Sequence, residues 1–319
     1  MSVDVAAPFR EHERLLRGLC YRLTGSAADA DDLVQETFLR AMERPPARTS
    51  EPWKPWLVRV AVNLGRDALR RRRRTAYVGP WLPSPIEAEA EAEEPLPSFE
   101  IAGEGTTEGR YDLLESVSFA FLLALEALTP QQRAVLLLRD VFDYSVEETA
   151  AALGLSASNV KTTHHRARRA LLPYEQSRCR PTPDLVARSA GALQRFLTSL
   201  MSDDVAAVEA QLAEGVVALN DGGGQFFAAR RPVVGAANVA KLNVGIKRMG
   251  PGVSRWEIRI LNGLPALVAE RDGTTVKEAP RFVLRVDIDA AGRITALHTI
   301  LATRKLTAVR AIGASGSPA

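Results

Sequence analysis

One stretch limits what this chain can fold into more than any other. Residues 79–109, "GPWLPSPIEAEAEAEEPLPSFEIAGEGTTEG", are rich in Pro, Gly and Glu and offer little to bury. Such a segment interrupts a hydrophobic core rather than joining one, so the 319 residues divide into folded units on either side of it. Charge follows the same division. Residues 1–77 carry 15 Lys+Arg against 10 Asp+Glu, whereas residues 78–117 carry 1 against 10. Residues 118–178 are nearly balanced, at 7 against 6, and the remainder is basic, at 18 against 12. The expected organisation is a basic domain over 1–77, an acidic flexible linker over 78–117, a second domain over 118–178, a third over 179–310, and a disordered tail over 311–319.

Helix signals dominate the first domain. Ser26 is placed to cap a helix with Asp29 at its third position, and Pro45 and Pro46 stop it. A second helix carries Trp56, Val60, Leu64 and Ala68 as an expected apolar stripe, with Arg59, Arg66 and Arg70 projecting elsewhere and Trp53 and Trp56 read as core. It ends in five consecutive arginines, Arg70 to Arg74. A basic run that continues a helix beside Asn63, Arg66 and Tyr77 suits phosphate neutralisation and base stacking.

The second domain has the most specific local pattern. Thr129, Pro130 and Gln132 form a capping box with proline at the first helical position, and Ser145 with Glu148 repeats the box. Gly154 ends that helix, and "ASNVKTTHHRARRALL" begins another. Helix, short turn, helix is the DNA-reading helix-turn-helix pattern. Val160, Ala167 and Leu171 are expected inside. Ser158, Asn159, Lys161 and Thr162 can reach base edges, and the later arginines suit phosphates. His164 and His165 are read as surface or groove-lining side chains, because no Cys or acid stands at ligand spacing.

In the third domain, "PDLVARSAGALQRFLTSLMSDDVAAVEAQL" reads as two helices, the second capped by Ser202 or Asp203. Alternating runs follow: "GVVALN", "QFFAA", "SRWEIRILN", "PALVAER", "RFVLRVDID" and "RITALHTIL". The layout is two helices followed by a curved antiparallel sheet, an α+β unit. No helix with a phosphate-binding start follows the glycines of "LNDGGGQFFAAR", so a strand connection is expected there rather than a phosphate loop.

Three stretches in order, "GSAADADDLVQETFLRAM", "PWLVRVAVNLGRDALRRRRR" and residues 125–172, resemble a bacterial RNA polymerase sigma factor of the extracytoplasmic-function (ECF) class, sigma-70 family. The resemblance covers roughly residues 9–175. It implies that Asp31, Asp32, Gln35 and Glu36 bind the polymerase clamp. It further implies that Asn63, Arg66, Asp67, Arg70, Arg71 and Arg73 hold the −10 element. Ser158, Asn159, Lys161, Thr162, His165, Arg166 and Arg169 would read the −35 duplex, and the linker would thread toward the polymerase active-site channel. The third domain is similar to the SnoaL-like, nuclear-transport-factor-2-like (NTF2-like) cone. The implied fold is two all-α sigma domains, the second a helix-turn-helix, plus a C-terminal α+β SnoaL/NTF2-like cone domain. In the sigma group with this fusion, a Trp-Leu-Pro motif and an Asp-Gly-Gly-Gly motif are characteristic. They stand here at Trp81, Leu82 and Pro83 and at Asp221, Gly222, Gly223 and Gly224, an expected regulatory pair. The group's last motif, Asn-Pro-Asp-Lys-like, is replaced by "ATRKL", 302–306.

The implied partners are core polymerase and promoter DNA, with room for a small-molecule ligand in the cone. No obligatory anti-sigma factor is inferred, and neither a cofactor nor a metal is expected. Because such cones also host enzymes, Asp221, Glu257 and His298 are the polar candidates, but their spacing demands no catalysis and no enzyme is expected. A dimeric repressor using only the helix-turn-helix leaves the acidic and arginine helices unexplained. The most apolar stretch, "VSFAFLLALEAL", is too short to span a bilayer. With no signal peptide read at the N-terminus and no metal-like spacing of Cys20 and Cys179, a cytoplasmic protein is expected.

Overall fold

Side-chain caps and glycine stops set most helix boundaries. In the computed structural model, which describes residues 6–46, 52–75, 77–87, 110–250 and 252–313, helix α1 spans Ala6–Thr24 and α2 spans Ala27–Glu43. Ser26 accepts from the Asp29 amide, as its position predicts. Helix α3, Trp53–Arg74, follows Pro52, which supplies no side-chain cap. Its buried face is Leu57, Val58, Ala61, Val62, Leu64, Gly65, Arg66 and Leu69. The expected stripe of Trp56, Val60, Leu64 and Ala68 is therefore misphased. Three of those four are only half-buried, Trp53 and Trp56 pack edge-to-face against each other at 6.3 Å, and Arg66 is inside rather than projecting.

Short helices α4 (Leu113–Ser116) and α5 (Phe119–Ala124) lead into α6 (Pro130–Asp140), α7 (Val146–Leu153) and α8 (Ala157–Ala170), with α9 (Leu172–Glu175) after them. Both capping boxes are present, and Gly154 closes α7 in the left-handed conformation. Residues 6–75 and 110–180 make one compact unit. Inside it two guanidinium groups are fully buried. Arg22 donates to Ser116 Oγ and the Leu113 carbonyl, and Arg133 donates to the Leu23 carbonyl and Glu126. Burial opposes the charge on Glu126, yet Arg133 and Arg72 hold its carboxyl below the usual range.

The second unit combines residues 77–87 with residues 181–313. Helix α10 (Pro183–Met201) and α11 (Val205–Glu209) precede β1 (Leu212–Asp221) and the two-residue β2 (Val233–Val234). Asp204 caps α11, not Ser202 or Asp203. Helix α12 (Ala236–Met249) follows, then β3 (Arg255–Leu261), β4 (Leu264–Glu270), β5 (Arg281–Ile288) and β6 (Ile294–Ile300). The sheet order is β2-β1-β6-β5-β4-β3, and β1 runs parallel to β6, so the sheet is mixed rather than antiparallel. The expected pairing across "IDAAGRI" is there, as β5 against β6. "QFFAA" is not a strand, and α12 is a third helix that the strand pattern did not announce. Leu193, Phe196, Val208, Val216, Val239, Val244, Leu284 and Leu297 form the core of this α+β unit.

The ends of the expected linker are ordered. Residues 77–87 pack on the sheet unit and α4 falls in 110–117, while residues 88–109 lie outside the described residues, as do 314–319 of the expected tail. Ile312, at the start of that tail, is buried and its amide donates to Glu270. Among the described residues, no helix is long and apolar enough to cross a membrane.

Candidate nucleic-acid interface and linker site

The phase of α8 decides which of its side chains can meet DNA. Val160, Ala167 and Leu171 are buried, and Thr163 beside them is nearly so. Ser158, Asn159, Lys161, Thr162, His165, Arg166 and Arg169 are all exposed, so the structure brings the whole expected −35 set onto one open helix surface. His164 departs from its reading. It sits half-buried with Nε2 2.8 Å from Asp140, which also accepts from Arg168 at 2.5 Å. Burial works against a charged Asp140, but hydrogen bonds from His164 and Arg168 hold its carboxyl low. These two residues of α8 anchor it to α6 rather than face outward.

The arginine run on α3 is divided between exposed and engaged side chains. Arg70 and Arg71 are exposed, with Arg70 donating to Asp67 at 2.8 Å. Arg66 donates to Asn63 at 3.2 Å and is 8 % exposed. Arg72 donates to both oxygens of Glu126, at 2.7 and 2.6 Å, and Arg73 donates to the Leu128 carbonyl. On α2, Asp32 and Gln35 are exposed. Asp31 pairs with Arg17 at 2.9 Å and Glu36 with Arg40 at 3.0 Å, leaving an acidic face bordered by exposed Leu39 and Met42.

The two expected regulatory motifs meet in the C-terminal unit. Residues 77–87 form a strap along the sheet, with Leu82 and Ile86 fully buried. Asp221, at the end of β1 and 0 % exposed, accepts from Tyr77 Oη at 2.5 Å and from the Leu82 amide at 2.8 Å. Lys305 completes the cluster. Its Nζ lies 2.5 Å from Asp221 Oδ2, donates to the Leu82 carbonyl, and stands 4.2 Å from the Trp81 ring centre and 4.9 Å from that of Tyr77. At the far end of the strap, Ile86 exchanges hydrogen bonds with Asn262, whose positive φ of 52° makes the two-residue Asn-Gly turn between β3 and β4. Glu87 pairs with Arg259 and Arg310.

The glycine triplet is what lets these parts approach. A Cβ on Gly223, whose φ is 57°, would stand 3.0 Å from Ala302 Cβ and 3.3 Å from Tyr77 Oη. On Gly222 it would stand 2.8 Å from the Phe226 carbonyl oxygen. The triplet is thus a turn packed under the strap, and "QFFAA" folds back as a loop instead of pairing as a strand.

Lys305 is the residue that sequence reasoning passed over. "ATRKL" departs from the expected motif at its start, yet it keeps the lysine, and that lysine holds the site. The three polar candidates for catalysis do not act together. Asp221 serves the strap, Glu257 pairs with Arg259 at 2.6 Å, and His298 lies 3.7 Å from Asp287. Burial pushes His298 down to about 4, with Asp287 opposing only part of the effect.

Comparison with known proteins places the helical domains in a family. The Sigma-70 region 2 family matches residues 8–75, and Sigma-70 region 4 matches residues 118–171. The ECF RNA polymerase sigma factor SigJ of Mycobacterium tuberculosis is 31% identical over 314 residues, covering 96% of this chain and 94% of its own length. The probable ECF sigma factor SigI of the same organism is 27% identical over 319 residues, covering 96% of each. The crystal structure of SigJ superposes with a TM-score of 0.69 at 27% identity, covering 95% of this chain and 98% of that one.

Proposed function

The chain belongs to the ECF family of RNA polymerase sigma factors, and on that premise we propose that its C-terminal α+β unit regulates promoter-directed initiation in cis through the docked strap. As a sigma factor it binds core polymerase and promoter DNA. The exposed face of α8 reads the −35 duplex, the arginine end of α3 meets the −10 element, and the acidic face of α2 meets the polymerase. The observation that carries the regulatory reading is the Tyr77–Leu82–Asp221–Lys305 cluster. The strap begins two residues after Thr75 ends α3, so wherever Asp221 holds Tyr77 it restrains the chain leaving the −10-reading helix.

The test is promoter-dependent run-off transcription with bacterial core polymerase, comparing the full chain with its Gly223→Val form and with a chain ending at Arg180. The cut falls after Arg180 because Arg178, 2.5 Å from the buried Glu115, belongs to the helical unit. Changed transcript yield from a folded Gly223→Val chain supports control through the strap. Equal yields from all three forms refute it, and no transcript from any form on any promoter removes the promoter-directing role.

A further inference from the structure

A second site lies in the C-terminal unit on the other side of the glycine turn. A cleft of about 200 Å³ is bounded by Val78 and Gly79 of the strap, Asn220 and Gly222 at the end of β1, the loop 224–230, and Lys277. Its walls join two kinds of chemistry. Val78, Phe226 and Phe227 are apolar, and Phe227 is 75 % exposed, an aromatic ring left in water beside a concave surface. Arg230 and Lys277 are exposed cations, and neither has an ion-pair partner among the described residues. In the same wall, Asn220 is 7 % exposed and its buried Nδ2 makes no hydrogen bond among the described residues. A buried amide donor without an acceptor costs on the order of 1–3 kcal/mol, so its presence in a cleft wall asks for an acceptor from outside the chain.

We propose that this cleft binds a small organic carboxylate, its oxygens taken by the Arg230 and Lys277 side chains and by the Asn220 amide once rotation of that side chain turns Nδ2 into the cleft, and its hydrocarbon part by Val78, Phe226 and Phe227. The volume is near that of a cavity that holds one benzene ring, about 150 Å³, which sets the size of the ligand. Apolar walls with a few convergent polar groups are the usual make-up of such sites. Two cations and a donor, with no acid among the lining residues, select the anion. This site goes beyond the regulatory reading and does not need it to be true. Because Val78 and Gly79 belong to the strap, an occupant touches the same segment that Asp221 holds.

Benzoate is the probe, benzamide its neutral counterpart and inorganic phosphate the purely ionic control, each titrated into the full chain by calorimetry and thermal melting. The expected result is saturable benzoate binding with Kd on the order of 0.1–1 mM. Benzamide should bind about tenfold more weakly and phosphate not measurably, since one charge-assisted hydrogen bond is worth about that factor. The double substitution Arg230→Ala with Lys277→Ala lies on exposed side chains and should weaken benzoate about tenfold or more without lowering the melting temperature of the free chain. Asn220→Leu should abolish binding. Should Asn220→Leu fail to fold, the surface double variant still decides. Absence of saturable benzoate binding, equal affinity for benzamide or phosphate, or an unchanged Kd in the double variant overturns the proposal. None of these readouts involves transcription, so failure here leaves the sigma and strap readings standing.

Discussion

The Asp221 carboxylate accepts from Tyr77, the Leu82 amide, the Gly223 amide and Lys305, so both of its oxygens are satisfied away from water. Removing one member of such a buried pair strands the other's charge. Lys305→Met should therefore destabilise the C-terminal unit by about 3–5 kcal/mol, and Asp221→Asn combined with Lys305→Met by clearly less than the two single changes added together. A double-mutant cycle in urea unfolding measures both. His298 makes a different prediction, in pH. Its folded value, about 4, lies below its ordinary 6.5, so between those values the unfolded chain binds a proton that the folded chain refuses. Stability should fall as pH drops from about 6.5 to about 4, by up to about 3 kcal/mol, and His298→Gln should flatten that part of the urea-midpoint profile. A profile equally steep in both chains would assign the loss to other groups.

Helix α8 and the glycine turn show what an element adds to its residues. On α8, Arg166→Ala or Arg169→Ala should weaken −35 duplex binding by the holoenzyme about equally across sequences and lower the salt slope by about 1. Asn159→Ala should instead relax the base preference at one position, read by competition among mutated −35 elements. At the turn, Gly223→Val forces a β-branched residue into positive φ, 3.0 Å from Ala302, and should expose residues 77–87 to limited proteolysis while α8 still binds DNA. Much of this layer was legible. The capping boxes, Gly154 and the acid-free stretch of α8 are local signals, and each is where it was read. Elements set by tertiary packing were not. Helix α12 begins after Gly235 with no side-chain cap and carries two asparagines and a glycine, so its propensity is weak, and burial of Val239, Ala240 and Val244 holds it. The phase of α3 slipped because Trp53 and Trp56 look like core residues but pack on each other. Lys305 was hidden because a lone lysine near a strand end reads as solvated, and only the strap that covers it reveals the pairing.

At the scale of the whole molecule, the chain visits its second unit twice, first for residues 77–87 and again from residue 181. The helical residues between, 110–180, belong to the first unit. This ordering has a consequence in time as well as in space. A ribosome releases the strap long before the surface that covers it: Asp221 is about 135 residues downstream of Glu87 and Lys305 about 220. At roughly 5–20 residues per second, the strap waits about 10–45 s for Lys305 to be made. For the later part of that wait, once residue 178 has been made, both sigma domains exist while the strap still lacks Lys305. If the strap exerts the control proposed above, every molecule of this sigma factor begins life without it, and acquires it only once the last strand and the lysine behind it have been made.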